Sequence, residues 1–446
     1  MAVYLILIPF FLTIMICILN GANDGTYLLL PLFSNESFFN KYGKGKLFLI
    51  LTFIGEIIGA TFLGEIVLKK IQYGFIYLYN PGLLQIVIIS SVILFVTLFI
   101  YLISSFLPFP VSLSHTMIGG LIGTGLFFKY NIIIKNLIST IVVWTITPLV
   151  ALLIGLIVYK IVFTFSIKNF KSIRKIKNSV LLYLIAFNLL FLLIFFKKSR
   201  IGFIVILIFY SILTSFFLLK LFFDNNNSKL ITSVLKKRLK EDKNIFLDKS
   251  LKKDAFLDRS LKEKEKGKDE NILKDEYDNV EKIFTDLSLL ILPDVFIAHG
   301  ANDVANCSAL FSLVLFSLFK NRIPINYNLY ILFIFSIILS SSIIFLSTKK
   351  AKKLSCNIFT IESSKIFVSY YSLAISTILF SFLGYRVSSI YTLTGSYIGI
   401  GYAKGFSIFN SRLLFTLLVS WILTFGLSVL LTYSFYFFIK YIGIIL

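Results

Sequence analysis

The chain has 446 residues, 57% of them hydrophobic and only 15% charged, which is too apolar for a soluble protein with one aqueous-phase core. Its formal charge is +22, yet the basic residues sit at the ends of apolar runs and in one central loop. With no folded basic domain to present them, nucleic acid is excluded as a partner.

What remains is a lipid-solvated helical bundle. Crossing about 30 Å of hydrocarbon takes about twenty apolar residues, and such runs recur at 47–68, 83–102, 180–196, 201–223, 331–346 and 413–439. The first apolar stretch lacks a basic n-region and a small-residue cleavage site, so it reads as a first span and not a signal peptide. Lys41, Lys44 and Lys46, then Lys168 to Lys177, then Lys349 to Lys353 mark alternate loops as cytoplasmic by the positive-inside rule. This places the N-terminus outside and the central loop inside, with the plasma membrane as the expected location. Cys17, Cys307 and Cys356 lie in apolar surroundings and make no disulfide framework.

Residues 224–282 break the apolar pattern with mixed Lys, Glu and Asp, as in the stretch from Leu261 to Glu270. Such a segment buries too little surface to offset its ordering entropy, and a disordered cytoplasmic linker is expected. On its two sides the sequence repeats. Gly21-Ala-Asn-Asp24 returns as Gly300-Ala-Asn-Asp303 (300 − 21 = 279), and Val111-Ser112 as Val387-Ser388 (387 − 111 = 276). Thr116, Gly119, Gly123 and Gly125 match Thr392, Gly395, Gly399 and Gly401, and Trp144 with Thr147 matches Trp421 with Thr424 (421 − 144 = 277). The domains are therefore repeat 1 (1–165), two connecting spans (166–223), the linker (224–282) and repeat 2 (283–446). Seven crossings before repeat 2 would turn it upside down. The expected fold is an all-α membrane protein of about 12 transmembrane helices, in two inverted-topology repeats with broken helices around a mid-membrane site.

Asn20 to Asp24 and His299 to Asp303 each fall inside an apolar run. Glycine there permits local unwinding, and a carboxylate this deep in lipid is a functional feature by default. Pro108-Phe-Pro110-Val-Ser-Leu-Ser-His115 must end a helix, because proline cannot continue the hydrogen-bond ladder. The helix restarting at Thr116 would aim free N–H groups and a positive dipole end at the gap, with Ser112, Ser114 and Thr116 adding hydroxyls for an anion. Ser388, Ser389 and Thr392 repeat the arrangement, and the spaced glycines serve close helix packing. Carboxylates cannot face an oxyanion without repulsion, so a cation must lie between them. Asp24 and Asp303 are hard oxygen ligands suited to Na⁺, with H⁺ as the alternative, and no His/Cys cluster calls for a transition metal.

The doubled Gly-Ala-Asn-Asp and the Pro-Val-Ser-x-Ser-His box resemble the signature of the inorganic phosphate transporter (PiT) family over nearly the whole chain outside the linker. The resemblance implies symport of inorganic phosphate with Na⁺ or H⁺ by alternating access, with no enzymatic step and no cofactor beyond the coupling ion. It adds Asn23 and Asn302 to the anion's ligands and Asn306 to the cation's, and suggests Glu56 and Glu362 as functional acids. Glu362 maps through the repeat onto Gln85 (362 − 277 = 85), an amide isostere assigned to the same cation set. Tyr27 stands where the family's first box ends in Asn, so Thr26 or a backbone carbonyl would substitute. In the second hydroxyl box Arg386 replaces Pro and Tyr391 replaces His; Arg386 either binds the anion or snorkels at the membrane edge. His115 and His299, the only histidines, fit structural hydrogen bonding or a proton relay. Partners are phosphate, Na⁺ and the lipid bilayer, with a homodimer left open. Rival functions are a sulfate or other oxyanion symporter, an intramembrane aspartyl hydrolase using Asp24 and Asp303, and a transport-inactive receptor.

Overall fold

The computed structural model describes residues 2–35, 38, 46–79, 81–104, 111–164, 257–319, 326–355, 361–404 and 411–443. The expected spans at 180–196 and 201–223, the linker from 224 to 256, and Pro108 and Pro110 lie outside them. The chain divides into two compact units, one of Met1–Ile161 with Phe284–Leu446, the other Val162–Ile283.

Among the described residues the chain forms ten helices and no strand. Repeat 1 contributes α1 (Ala2–Phe33), α2 (Leu47–Tyr73), α3 (Leu83–Ser104), α4 (Leu113–Phe128) and α5 (Ile134–Val162). After them come α6 (Leu257–Phe319), α7 (Tyr327–Ser355), α8 (Ser363–Phe382), α9 (Ser389–Ala403) and α10 (Ser411–Tyr441). Eight of these are long and apolar enough to span a membrane, and α4 is a shorter apolar helix. The charged stretch 257–282 is helical, as the first part of α6. Lys, Glu and Leu are strong helix formers; their charge opposes burial in a core, not helix formation. Helix starts recur at the spacing of the motifs: 363 − 83 = 280, 389 − 113 = 276 and 411 − 134 = 277.

Two sets of contacts define how the repeats relate. Phe10 of α1 meets Phe311 of α6 with ring centroids 5.3 Å apart, whereas Asp24, further along α1, meets His299 and Asp303, earlier on α6. The two helices therefore run in opposite directions, and repeat 2 is inverted relative to repeat 1. The second set is reciprocal. A Cβ on Gly119 or Gly123 of α4 would lie 2.7 Å from the Phe425 carbonyl oxygen or 2.6 Å from that of Val429, on α10. On Gly395 or Gly399 of α9 it would lie 2.2 Å from the Pro148 carbonyl oxygen or 2.1 Å from that of Leu152, on α5. Each repeat thus seats its short helix on the last helix of the other, which is the self-complementary exchange of a two-fold axis.

The expectation of broken helices is met at the hydroxyl boxes and corrected at the acidic motifs. Helix α3 ends at Ser104 and α4 starts at Leu113; α8 ends at Phe382 and α9 starts at Ser389, with Gly384 at φ 77° between them. By contrast α1 runs unbroken through Gly21 to Asp24, and α6 through Gly300 to Asp303. The glycines there admit a neighbour instead of unwinding. A Cβ on Gly21 would lie 2.7 Å from the Leu339 carbonyl oxygen of α7, and one on Gly300 would lie 2.2 Å from that of Glu56 on α2. A continuous helix keeps its backbone hydrogen bonds satisfied in lipid, which an unwound turn does not. The distortion falls on α7, as a π turn at Ile343–Ser347. Beside it, the Ser342 and Ser347 hydroxyls donate to the Ile18 and Gly21 carbonyls, each at 2.6 Å.

Candidate cation and anion site

Helices α1, α2 and α6 converge on a cluster of buried acids. Backbone approach at Gly59, where a Cβ would lie 2.0 Å from the Ile297 carbonyl oxygen, and at Gly300 lets α2 and α6 cross almost in contact. The crossing sets both carboxylate oxygens of Glu56 3.0 Å from His299 Nδ1. One helical turn along α6, Asp303 Oδ2 lies 3.4 Å from His299 Nε2. Asp24 enters from α1, and ligand atoms of Asp24, His299 and Asp303 all fall within 4.8 Å of one another. All four side chains are buried. Three carboxyls share one imidazole, so the cluster holds more acid than base even with the ring protonated. Buried charge must be balanced, and the set of carboxylate oxygens in reach suits a bound Na⁺ or a proton.

The hydroxyl boxes build a different environment beside it. Ser112 and Ser388 stand at the N-caps of α4 and α9 with extended backbone (ψ 124° and 118°), so both helices begin with free N–H groups at the break. Helix α6 pins both boxes. Asn302 Nδ2 donates to the Val387 carbonyl at 2.6 Å, and Asn306 Nδ2 donates to Ser114 Oγ at 3.3 Å. Arg386 Nη1 in turn donates to Asn306 Oδ1 at 3.3 Å. A narrow crevice beside them is lined by His115, Trp144, Ser388, Tyr391, Thr392 and Trp421, among others. His115 stacks on Trp144 with centroids 3.7 Å apart.

The structure brings together Asp24, Asp303 and Glu56 in one group, and Ser114, Asn302, Asn306, Arg386, His115, Ser388 and Thr392 in the neighbouring one. Asn306, expected on the cation, hydrogen-bonds Ser114 and Arg386. The Thr116 and Thr392 hydroxyls are committed to backbone carbonyls, Leu113 at 2.8 Å and Ser388 at 2.9 Å, so they offer lone pairs and not hydrogens. Thr26 likewise donates to the Ala22 carbonyl at 2.6 Å. Asn23 accepts from Lys350 at 2.9 Å. Glu362 and Gln85 are not in the cluster. Glu362 precedes α8 and pairs with Lys365 at 3.0 Å and Lys404 at 3.5 Å; burial raises its pKa, but the two lysines prevail and hold it below the usual carboxylate value. Gln85 Nε2 donates to the Tyr130 hydroxyl at 2.5 Å near the start of α3.

The histidines divide. His299 hydrogen-bonds Glu56 through Nδ1 and sets Nε2 within 3.4 Å of Asp303 Oδ2, at ion-pair and not hydrogen-bond geometry, a position its place next to the acidic motif hinted at. Both ring nitrogens of His115 lack a partner among the described residues, so stacking holds that ring, not the expected hydrogen bonds. The sequence reading missed the Trp144 and Trp421 slot, although the two tryptophans were visible as a repeated pair. It also missed Tyr101, whose hydroxyl donates to Asn20 Oδ1 at 3.1 Å.

Residues 45–432 match the Phosphate transporter family. The chain belongs to that family. It is thus an integral membrane protein of phosphate transport. An assigned phosphate permease of Pyrococcus furiosus is 22% identical over 386 residues, covering 84% of this chain and 83% of the relative. One from Chlamydia pneumoniae is 28% identical over 162 residues, 35% of this chain and 37% of the relative. A solved structure described as the sodium-dependent phosphate transporter superposes with a TM-score of 0.74 at 20% identity, covering 98% of this chain and 100% of the other. At that identity the likeness establishes a shared fold.

Proposed function

We propose that the protein imports inorganic phosphate by symport with Na⁺, or with H⁺ in its place, through alternating access of the inverted repeats. The observation that carries this is the double duty of α6. One turn of it gives His299 and Asp303 to the acidic cluster, while Asn302 and Asn306 hold the hydroxyl boxes. A cation bound among Asp24, Glu56 and Asp303 removes the repulsion that would otherwise keep an oxyanion from the half-helix N-termini next door. Each ligand then strengthens the other's binding, which is the thermodynamic content of coupling. The name of the structurally similar protein favours Na⁺ as the partner ion. We place it in the plasma membrane, and the basic loops favour an orientation with the N-terminus outside and the central loop cytoplasmic.

The test is uptake of labelled phosphate into proteoliposomes under a Na⁺ gradient, an H⁺ gradient or neither. Concentrative uptake under one gradient, undiminished by excess sulfate, is expected. Equilibration without either gradient would make the protein a channel, and competition by sulfate would make it a general oxyanion carrier.

A further inference from the structure

Arg386 occupies the position that repeat 1 fills with Pro110 (386 − 110 = 276), and it is only 1% exposed. A snorkelling arginine keeps its head in water; this one has none to reach. No carboxylate pairs with it among the described residues. Its Nη1 meets the neutral Asn306 at 3.3 Å, its guanidinium lies 5.1 Å from the centroid of the Phe75 ring, and its Nη2 has no partner among the described residues. A buried cation left in this state is strongly unfavourable unless an anion joins it.

Three residues further on, at the first position of α9, Ser389 is 2% exposed and its Oγ also lacks a partner among the described residues. Both orphaned groups flank the N-cap at Ser388. The segment between them is held in place, since Asn302 binds the Val387 carbonyl and Asn306 ties Arg386 to Ser114 of the other repeat. The guanidinium is a planar fork suited to two oxygens of a tetrahedral oxyanion, and a hydroxyl with helix N–H groups completes its shell.

We propose that Arg386 is a fixed cationic ligand of the transported oxyanion, acting with Ser389 at the start of α9. This rests on the phosphate-symport reading and deepens it. The anion's charge is met from two sides, by the coupling cation among the acids and by an arginine that belongs to the protein and does not travel with the cargo.

Binding can be read without transport, because the two tryptophans in the chain, Trp144 and Trp421, line the crevice with Ser388. Their emission would be titrated with inorganic phosphate on purified protein at saturating Na⁺, with uptake kinetics in proteoliposomes alongside. Losing a hydrogen-bonded charge should weaken phosphate binding by roughly 10- to 100-fold in Arg386→Gln. Arg386→Lys, which keeps the charge but not the fork, should lose less, and Ser389→Ala should lose a few-fold. An unchanged phosphate Kd and KM in folded Arg386→Gln, with wild-type symport intact, overturns the role of Arg386 and leaves the functional reading standing. A wild-type protein that neither binds nor imports phosphate removes both.

Discussion

The two acidic motifs occupy equivalent places in the repeats but do unequal work. Shifting repeat 2 back by 279 residues lays His299, Asn302, Asp303 and Asn306 over Asn20, Asn23, Asp24 and Tyr27. On α6 all four side chains are buried and all four contact the site. On α1 Asp24 joins the acids and Asn20 accepts from Tyr101, while Asn23 pairs with Lys350 and Tyr27 is 41% exposed. The hydroxyl boxes differ in the same sense, with Arg386 and Tyr391 where repeat 1 has Pro110 and His115. The helix packing kept the two-fold relation because glycine-to-carbonyl contacts depend on backbone shape. On the symport proposal the chemistry need not be symmetric, since one cation and one anion cannot be shared equally between two copies of a site.

The sharpest way to break this comparison is to neutralise the two aspartates separately. Removing one member of a buried charge cluster costs about 2–5 kcal/mol, so Asp303→Asn should reduce gradient-driven phosphate uptake by on the order of 100-fold or more. Asp24→Asn should also impair uptake, and by less, because α1 brings fewer contacts to the cluster. Equal losses, measured as initial rates at matched protein density, would mean the motifs still work as equals.

The packing claim is tested next, by thermal unfolding in detergent. Gly300→Ala would drive a methyl into the Glu56 backbone, where the gap is 2.2 Å, and should cost about 1–3 kcal/mol, lowering Tm by several degrees. Gly401→Ala, whose added Cβ meets no neighbouring element within 4 Å among the described residues, should be neutral or slightly stabilising through helix propensity. A Gly300→Ala protein that unfolds like wild type would return that glycine to the role of a hinge.

The smallest effect is expected at Glu362 and Gln85. Surface ion pairs such as those of Glu362 contribute about 0–1 kcal/mol, so Glu362→Gln should leave the KM for Na⁺ within about twofold. A tenfold rise in that KM would bring Glu362 back into the cation's ligand set.

Much of this was legible in the residues. The repeat and its inverted sense follow from motif order and the expected odd number of crossings, and the first break from proline chemistry; the second box has Arg386 in place of proline and its break is legible only through its match to the first. The continuity of α1 and α6 was not legible, because a glycine that unwinds a helix and one that admits a neighbouring carbonyl look alike in one dimension. Glu362 and Gln85 show a second limit. The motif offset of 277 pairs them, whereas the helix starts, 280 apart, set Glu362 just before α8 and Gln85 within the first turn of α3; neither spacing gives depth in the bilayer. Arg386 shows a third, since a helix-end arginine in apolar sequence reads the same whether its head reaches water or is enclosed by Phe75 and Asn306.

The central claim is that a cation among Asp24, Glu56 and Asp303 permits an anion to bind beside it. The direct measurement is phosphate affinity, read from tryptophan emission, as a function of Na⁺ concentration and pH, in wild type and Asp303→Asn. The account predicts that wild-type affinity rises with Na⁺, or with acidification if H⁺ is the coupling ion, and that the dependence collapses in the variant. A phosphate affinity in the wild type that is the same with and without Na⁺ at every pH would contradict it.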